Sequence, residues 1–115
     1  MLVPPFLFLA LLIQPAEIPV LKADLGACTA DFTVTDATGA PVYSATIHAR
    51  IRYGVMGVKR MDVEIGTNSD GKARFEGLPA KARLIAYDVS KDAKSAAVSQ
   101  KVPKQCNSSF APVLK

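Results

Sequence analysis

The sequence contains no tryptophan and a single histidine, His48. A zinc centre needs three or four converging Cys, His or carboxylate ligands, and a nucleophilic centre of the Ser-His-Asp or Cys-His kind needs an oriented base. One histidine and two cysteines do not supply such a constellation. We therefore predict that the chain is not an enzyme and that it uses no metal or other cofactor.

No apolar run in the sequence is long enough to cross a bilayer as a helix. The uncharged run at residues 1–13 is well short of the roughly 20 residues that a span requires. It is typical of the apolar region of a signal peptide, and Gln14-Pro15-Ala16 supplies a small-residue cleavage site. We predict a cleaved signal peptide at residues 1–16, with an N-terminal core element as the alternative. The mature protein is expected to be secreted, periplasmic or on the cell surface, without stable membrane insertion.

The rest of the chain has room for one domain, which we place at residues 28–115 after an N-terminal linker at 17–27. Cys28 and Cys106 lie near the two ends of that domain. In an oxidising compartment they are predicted to form a disulfide that ties the ends together. A bacterial lipobox ending at Cys28 is the alternative, but charged residues separate it from the apolar run.

The charge of the chain is mildly positive, at +4. Basic and acidic residues alternate along the sequence, whereas nucleic-acid-binding proteins usually gather basic residues on one face. We predict a monomer that does not bind nucleic acid.

From Cys28 onward, short stretches of alternating apolar and polar residues are separated by Gly, Pro, Asn and Asp turns. This pattern predicts an all-β sandwich of about seven antiparallel strands. The clearest strand ends at Tyr53, and a reversal at residues 54–57 predicts a hairpin that sets Arg50 opposite Asp62 or Glu64. The residues predicted to form the core are Phe32, Ile47, Ile51, Val63, Ile65, Phe75, Leu78, Ile85, Tyr87 and Val98.

The turns follow one another in a recognisable order. Asp36-x-x-Gly39-x-Pro41-Val42 comes first, Thr67-x-x-Asp70-Gly71-x-x-x-Phe75 second, and Gly77-Leu78-Pro79 third. This string resembles the carboxypeptidase regulatory-like domains, which are prealbumin-like (transthyretin-like) β-sandwiches. The resemblance implies a non-catalytic accessory or structural module. The chain departs from the family after the third element, where Lys81 and Arg83 replace a glycine and an aromatic residue.

One loop is a candidate interaction site. Val55, Met56 and Val58 are apolar residues in a hairpin tip that should be wetted by solvent. They either dock a partner or fold back over the open end of the sandwich. Arg50 and Arg52 invite a phosphate-binding interpretation, but cross-strand ion pairs explain them adequately.

We therefore predict a non-catalytic, secreted β-sandwich module with a structural or protein-interaction role. The alternative is a small carbohydrate-binding module at the cell surface, for which Tyr43 is the candidate stacking residue. The expected partner is a protein or a cell-surface glycan. A divergent hydrolase would have to be built from His48 with Arg50 or Arg52.

Overall fold

A computed structural model describes residues 17–81, 84–102 and 104–115. These ranges form strands and turns without an α-helix, and they contain no helix of the length and hydropathy that a bilayer span requires. The predicted signal peptide at residues 1–16 lies outside the described residues, and so does Arg83. The strands are β1 (Val20–Lys22), β2 (Cys28–Thr33), β3 (Thr35–Asp36), β4 (Thr46–Tyr53), β5 (Lys59–Gly66), β6 (Lys72–Leu78), β7 (Ile85–Lys91), β8 (Lys94–Gln100), β9 (Asn107–Phe110) and β10 (Val113–Leu114).

Two four-stranded sheets make up the fold, which confirms the predicted all-β sandwich. One sheet has the order β1-β6-β2-β9 and the other the order β5-β4-β7-β8, while β10 and β3 form a short separate pair. Side chains from both sheets meet in the core, where the rings of Phe32 and Phe75 pack against Tyr87.

The expectation of a wholly antiparallel sandwich is wrong for the first sheet. β1 runs parallel to β6, and β9 runs parallel to β2. Tight hairpin turns produce antiparallel neighbours, whereas parallel neighbours need a longer connection. Both parallel strands reach the sheet from distant parts of the chain. The segment 17–27, predicted as a linker, supplies β1.

Burial follows the predicted alternation in the central strands. Seven predicted core residues are at most 1% exposed: Phe32, Ile47, Ile51, Phe75, Leu78, Ile85 and Tyr87. Val63, Ile65 and Val98 are only partly buried, because they lie on β5 and β8, the outer strands of their sheet.

The two predicted turns are held by side-chain caps. Asp36 Oδ1 accepts hydrogen bonds from the backbone N–H groups of Thr38 and Ala40 and from the Thr38 hydroxyl. These bonds, led by that of the Thr38 side chain, lower the pKa of Asp36. Asn68 Oδ1 accepts hydrogen bonds from the N–H groups of Asp70 and Lys72, as expected of a turn capped by an Asn side chain.

The predicted disulfide between Cys28 and Cys106 is present. It leaves Cys28 no free thiol, so the lipobox alternative fails. Beside it lies Gln100, a fully buried polar residue that the sequence pattern did not reveal. Gln100 Oε1 accepts a 2.7 Å bond from the Tyr87 hydroxyl, and Gln100 Nε2 donates to the carbonyl of Gln105 at 2.6 Å. Burial of the hydroxyl raises the pKa of Tyr87.

Candidate anion-binding site

The β4–β5 hairpin places two arginines directly opposite each other. Arg52 pairs in register with Arg60 on the outer face of the sheet, and both side chains are exposed. Like charges directly opposite each other destabilise an antiparallel pair. We call Arg52 and Arg60 the arginine row.

The next rows of the same face are balanced by acids. Arg50 lies opposite Asp62, which confirms one of the two predicted registers. Its guanidinium, however, pairs with Asp88 on β7, with 2.8 Å between Arg50 Nη2 and Asp88 Oδ2. Asp62 lies instead 3.6 Å from Nε2 of His48. A cross-strand ion pair therefore explains Arg50, although its partner is Asp88 and not the predicted Asp62 or Glu64. No ion pair among the described residues explains Arg52.

Positive charge is left without a partner at the tip end of this sheet. Within the part of the chain that the structure describes, Arg52, Arg60 and Lys81 take part in no ion pair. The sequence has no acidic residue between His48 and Asp62, and none between Glu76 and Asp88. The fold brings these two acid-free segments together.

Two cavities border Arg52 and Leu84. One, of about 380 Å³, is lined by both residues together with Tyr53, Met56 and Lys81. The other, of about 410 Å³, lies along the outer face and includes Arg60 in its lining. Asp62 also lines the second cavity. The two cavities share a mixed surface, cationic at the arginine row and apolar at Leu84.

The hairpin tip, residues 54–58, lines one side of the first cavity and exposes its apolar side chains. Val55 is 81% exposed, Met56 is 90% exposed and Val58 is 75% exposed. The tip therefore does not fold back over the open end of the sandwich. Met56 adopts a φ of 57°, a left-handed conformation that is unfavourable for a residue with a side chain.

Of the remaining predicted candidates, Tyr43 and His48 line neither cavity, whereas Arg50 lines the outer one. Tyr43 is exposed in the loop before β4, whereas the tip follows that strand. Of the candidate hydrolase residues, Arg50 forms an ion pair with Asp88, and His48 Nε2 lies 3.6 Å from Asp62 Oδ1. The third, Arg52, belongs to the arginine row. Across the described ranges, no three His, Cys, Asp or Glu side chains are grouped so that they could hold a metal ion.

The sequence pattern identified the tip as a candidate site, but it did not show that Lys81 and Leu84 lie beside it. They come from the connection before β7, and only the pairing of Ile51 with Ile85 brings that connection beside Arg52. The two acid-free segments were a signal in the sequence, but their proximity depends on the strand order.

Comparison with known proteins gives the fold but no family. No family model matches the sequence, and no curated protein matches it at a significant level. Among solved structures, the chain is similar to 3-chlorocatechol 1,2-dioxygenase from Rhodococcus opacus, with a TM-score of 0.54 at 14% identity over 84% of this chain and 63% of the other. It is also similar to catechol 1,2-dioxygenase from an Acinetobacter species, with a TM-score of 0.53 at 15% identity over 87% and 59% of the two chains.

Chlorocatechol 1,2-dioxygenase from Pseudomonas putida is a third similar structure, with a TM-score of 0.55 at 12% identity over 89% of this chain and 68% of the other. The chain thus spans 63% and 59% of the length of the first two dioxygenases. At such low identity the similarity establishes a shared fold.

These comparisons correct the predicted function. The prediction of a non-catalytic structural or protein-interaction module, with a carbohydrate-binding module as its alternative, is wrong, because the similar solved structures are dioxygenases. Alternating strands and turns specify a sandwich, but they do not specify the site that is built on it. The function has to be argued from the site itself.

Proposed function

We propose that the chain binds an amphiphilic organic anion, a phosphate ester or carboxylate with an apolar tail, at the arginine row. The observation that carries this proposal is the pairing of Arg52 with Arg60 in a row for which the described residues supply no acidic partner. The repulsion between these two cations is relieved when an anion lies between them.

The chemistry of the arginine row suits a phosphate or carboxylate group. A guanidinium presents several N–H donors in a planar fork that matches the oxygens of both groups. Lys81, in the adjoining cavity, adds a third positive charge. Because the site is open, the ligand keeps part of its hydration and exchanges readily with solvent.

The apolar part of the site suits a hydrocarbon tail. Leu84 is 45% exposed and lines both cavities. Met56 lines the cavity nearer the tip, and Ala86 lines the outer one. Each CH₂ group that leaves water against such a surface contributes about 0.8 kcal/mol when it is fully buried. A ligand that has both a charge and a tail therefore binds more tightly than a simple anion.

We infer that this binding occurs without oxygen chemistry by the chain itself. Dioxygen chemistry is carried by a cofactor such as non-haem iron, copper or flavin. Among the described residues, no three His, Cys, Asp or Glu side chains converge as metal ligands. Oxygen uptake with catechol and added iron should stay at the protein-free rate. Protein-dependent uptake would overturn this part of the proposal.

Calorimetric titration of the full chain with monomeric octyl phosphate tests the binding proposal. Loss of one charged hydrogen-bond donor costs about 1.5 kcal/mol, so Arg52→Gln and Arg60→Gln should each weaken binding roughly tenfold. Inorganic phosphate should bind more weakly than octyl phosphate. Lys94→Gln is the matched control, because it removes one exposed positive charge where β8 begins, at the far end of the sheet.

Unchanged affinity in Arg52→Gln and Arg60→Gln, or an equal loss in Lys94→Gln, would contradict a site at the arginine row. Equal affinity for octyl phosphate and inorganic phosphate would contradict the apolar half of the site.

A further inference from the structure

The tip exposes three apolar side chains. Val55 and Val58 line neither cavity, Met56 lines the first, and each of the three is at least 75% exposed. Scattered single apolar residues on a surface need no explanation, but three within four positions form a patch. The positive φ of Met56 adds a local conformational cost to displaying this patch.

Positive charge surrounds this patch. Lys59 and Arg60 follow the tip, Arg52 precedes it, and Lys81 lies across the cavity. All four side chains are exposed. Acidic side chains of the same sheet face, Asp62, Glu64 and Asp88, lie in the rows farther from the tip.

The apolar tip and the basic residues around it are complementary to the surface of an anionic bilayer. At the face of an anionic bilayer, apolar side chains can enter the boundary between headgroups and acyl chains while basic residues stay among the headgroup phosphates. A lipid whose phosphate lies between Arg52 and Arg60 would place its acyl chains beside Leu84 and Met56. A soluble protein partner would require acidic and apolar groups in the same arrangement.

We propose that the anion bound at the arginine row is the headgroup of an anionic lipid in a bilayer, and that the tip lies in the membrane interface when it is bound. This proposal rests on the proposed function, for which it names the ligand class. The docking is peripheral, with the sandwich outside the bilayer. It agrees with the predicted absence of stable membrane insertion of the mature chain, which stays a prediction.

The absence of tryptophan makes a specific test possible. Val55→Trp introduces one indole at an exposed position of the tip, and its fluorescence reports whether the tip leaves water. We expect a blue shift of its emission with vesicles of phosphatidylglycerol and phosphatidylcholine, but none with phosphatidylcholine alone. Tyr43→Trp is the matched control, 66% exposed in the loop before β4, and its emission should stay unchanged.

Removal of the cations should weaken the vesicle-dependent shift. Each basic residue near an anionic surface changes partitioning about fivefold. Replacing both arginines, by Arg52→Gln with Arg60→Gln in the Val55→Trp background, should therefore weaken partitioning to the vesicles about 25-fold. Added salt should weaken it as well, because the attraction is screened. Every variant carries residues 1–16, so vesicle binding through that apolar run would appear equally in all of them.

The outcomes separate this proposal from the binding function. If Val55→Trp shows no shift, or the same shift with phosphatidylcholine alone, the membrane proposal is overturned. Octyl phosphate binding at the arginine row would then still support the proposed function, with a free amphiphile as ligand. An equal shift of Tyr43→Trp would also overturn docking by the tip. Failure of both the vesicle and octyl phosphate experiments would overturn both proposals.

Discussion

At the scale of single residues, the arginine row is an unfavourable pair in the isolated protein. Arg52 and Arg60 face each other across the hairpin, whereas Arg50 in the next row has an acidic partner. A sheet selected for stability alone would place opposite charges at that position. In this proposal, Arg60 therefore strengthens anion binding but lowers the stability of the free protein.

Arg60→Glu tests this opposition. The substitution replaces a repulsive cross-strand pair with an attractive one, so the free energy of unfolding should rise by about 0.2–1 kcal/mol in chemical denaturation. The same variant should lose octyl phosphate binding, because the anion now meets a carboxylate. Arg60→Gln, which removes the repulsion without adding a negative charge, should lie between the wild type and Arg60→Glu in stability. A destabilised Arg60→Glu would show that Arg60 serves the fold.

At the scale of elements, the turn before β6 depends on one glycine. Gly71 has a φ of +73°, and a Cβ there would clash with the carbonyl oxygen of Val34. The Gly71 carbonyl also accepts a 2.7 Å bond from the N–H of Val34. The turn thus joins β6 to the segment that follows β2.

Gly71→Ala should destabilise the protein by about 3 kcal/mol or more, since it combines a strained backbone with an overpacked contact. Gly39→Ala is the matched control: its φ is +87°, but a Cβ at that position would meet open space. The control should cost about 1 kcal/mol, from the backbone alone. Thermal or denaturant unfolding measures both changes. Equal costs would mean that the approach of Gly71 to Val34 does not constrain the fold.

The elements also show how far local sequence information extends. Alternation from Ile47 to Tyr53 predicted β4, its buried face and its hairpin with β5, because those features depend on neighbouring residues. β1 and β9 pair in parallel with strands far away in sequence, and no local pattern encodes such pairing. Gln100 was missed for a related reason, since its partners belong to other segments.

The site was predictable only in part, because the tip and its neighbours Lys81 and Leu84 come from different segments of the chain. The tip could be named from its apolar residues within a turn. The placement of Lys81 and Leu84 beside Arg52 depends on β7 pairing with β4, which the sequence alone does not fix. Resemblance to carboxypeptidase regulatory-like domains stays a prediction, and the similarity to dioxygenases concerns the fold.

At the scale of the whole molecule, the disulfide closes most of the described chain into one loop. Cys28 and Cys106 are separated by 78 positions, and Cys28 lies in the core. In the chain-entropy view, closing a loop of that length stabilises the folded state by about 4.5 kcal/mol. That is a large part of the stability of a small domain.

Replacing Cys28 and Cys106 together with Ala should therefore lower the free energy of unfolding by about 2–5 kcal/mol. Denaturant titration of the oxidised wild type and of the double variant measures the difference. The reduced wild type serves as a control, because it loses the bond but keeps both side chains. A double variant as stable as the oxidised protein would show that β2 and the segment before β9 are held by their other contacts.

We have proposed that one end of this sandwich, the arginine row with its apolar border, binds an amphiphilic anion. Titration of the ¹⁵N-labelled full chain with octyl phosphate, followed residue by residue by NMR, tests it most directly. We expect saturable shifts at Arg52, Arg60, Lys81 and Leu84, with residues near Tyr43 and Lys94 unchanged. Absence of saturable shifts, or shifts centred away from the arginine row, would contradict the claim.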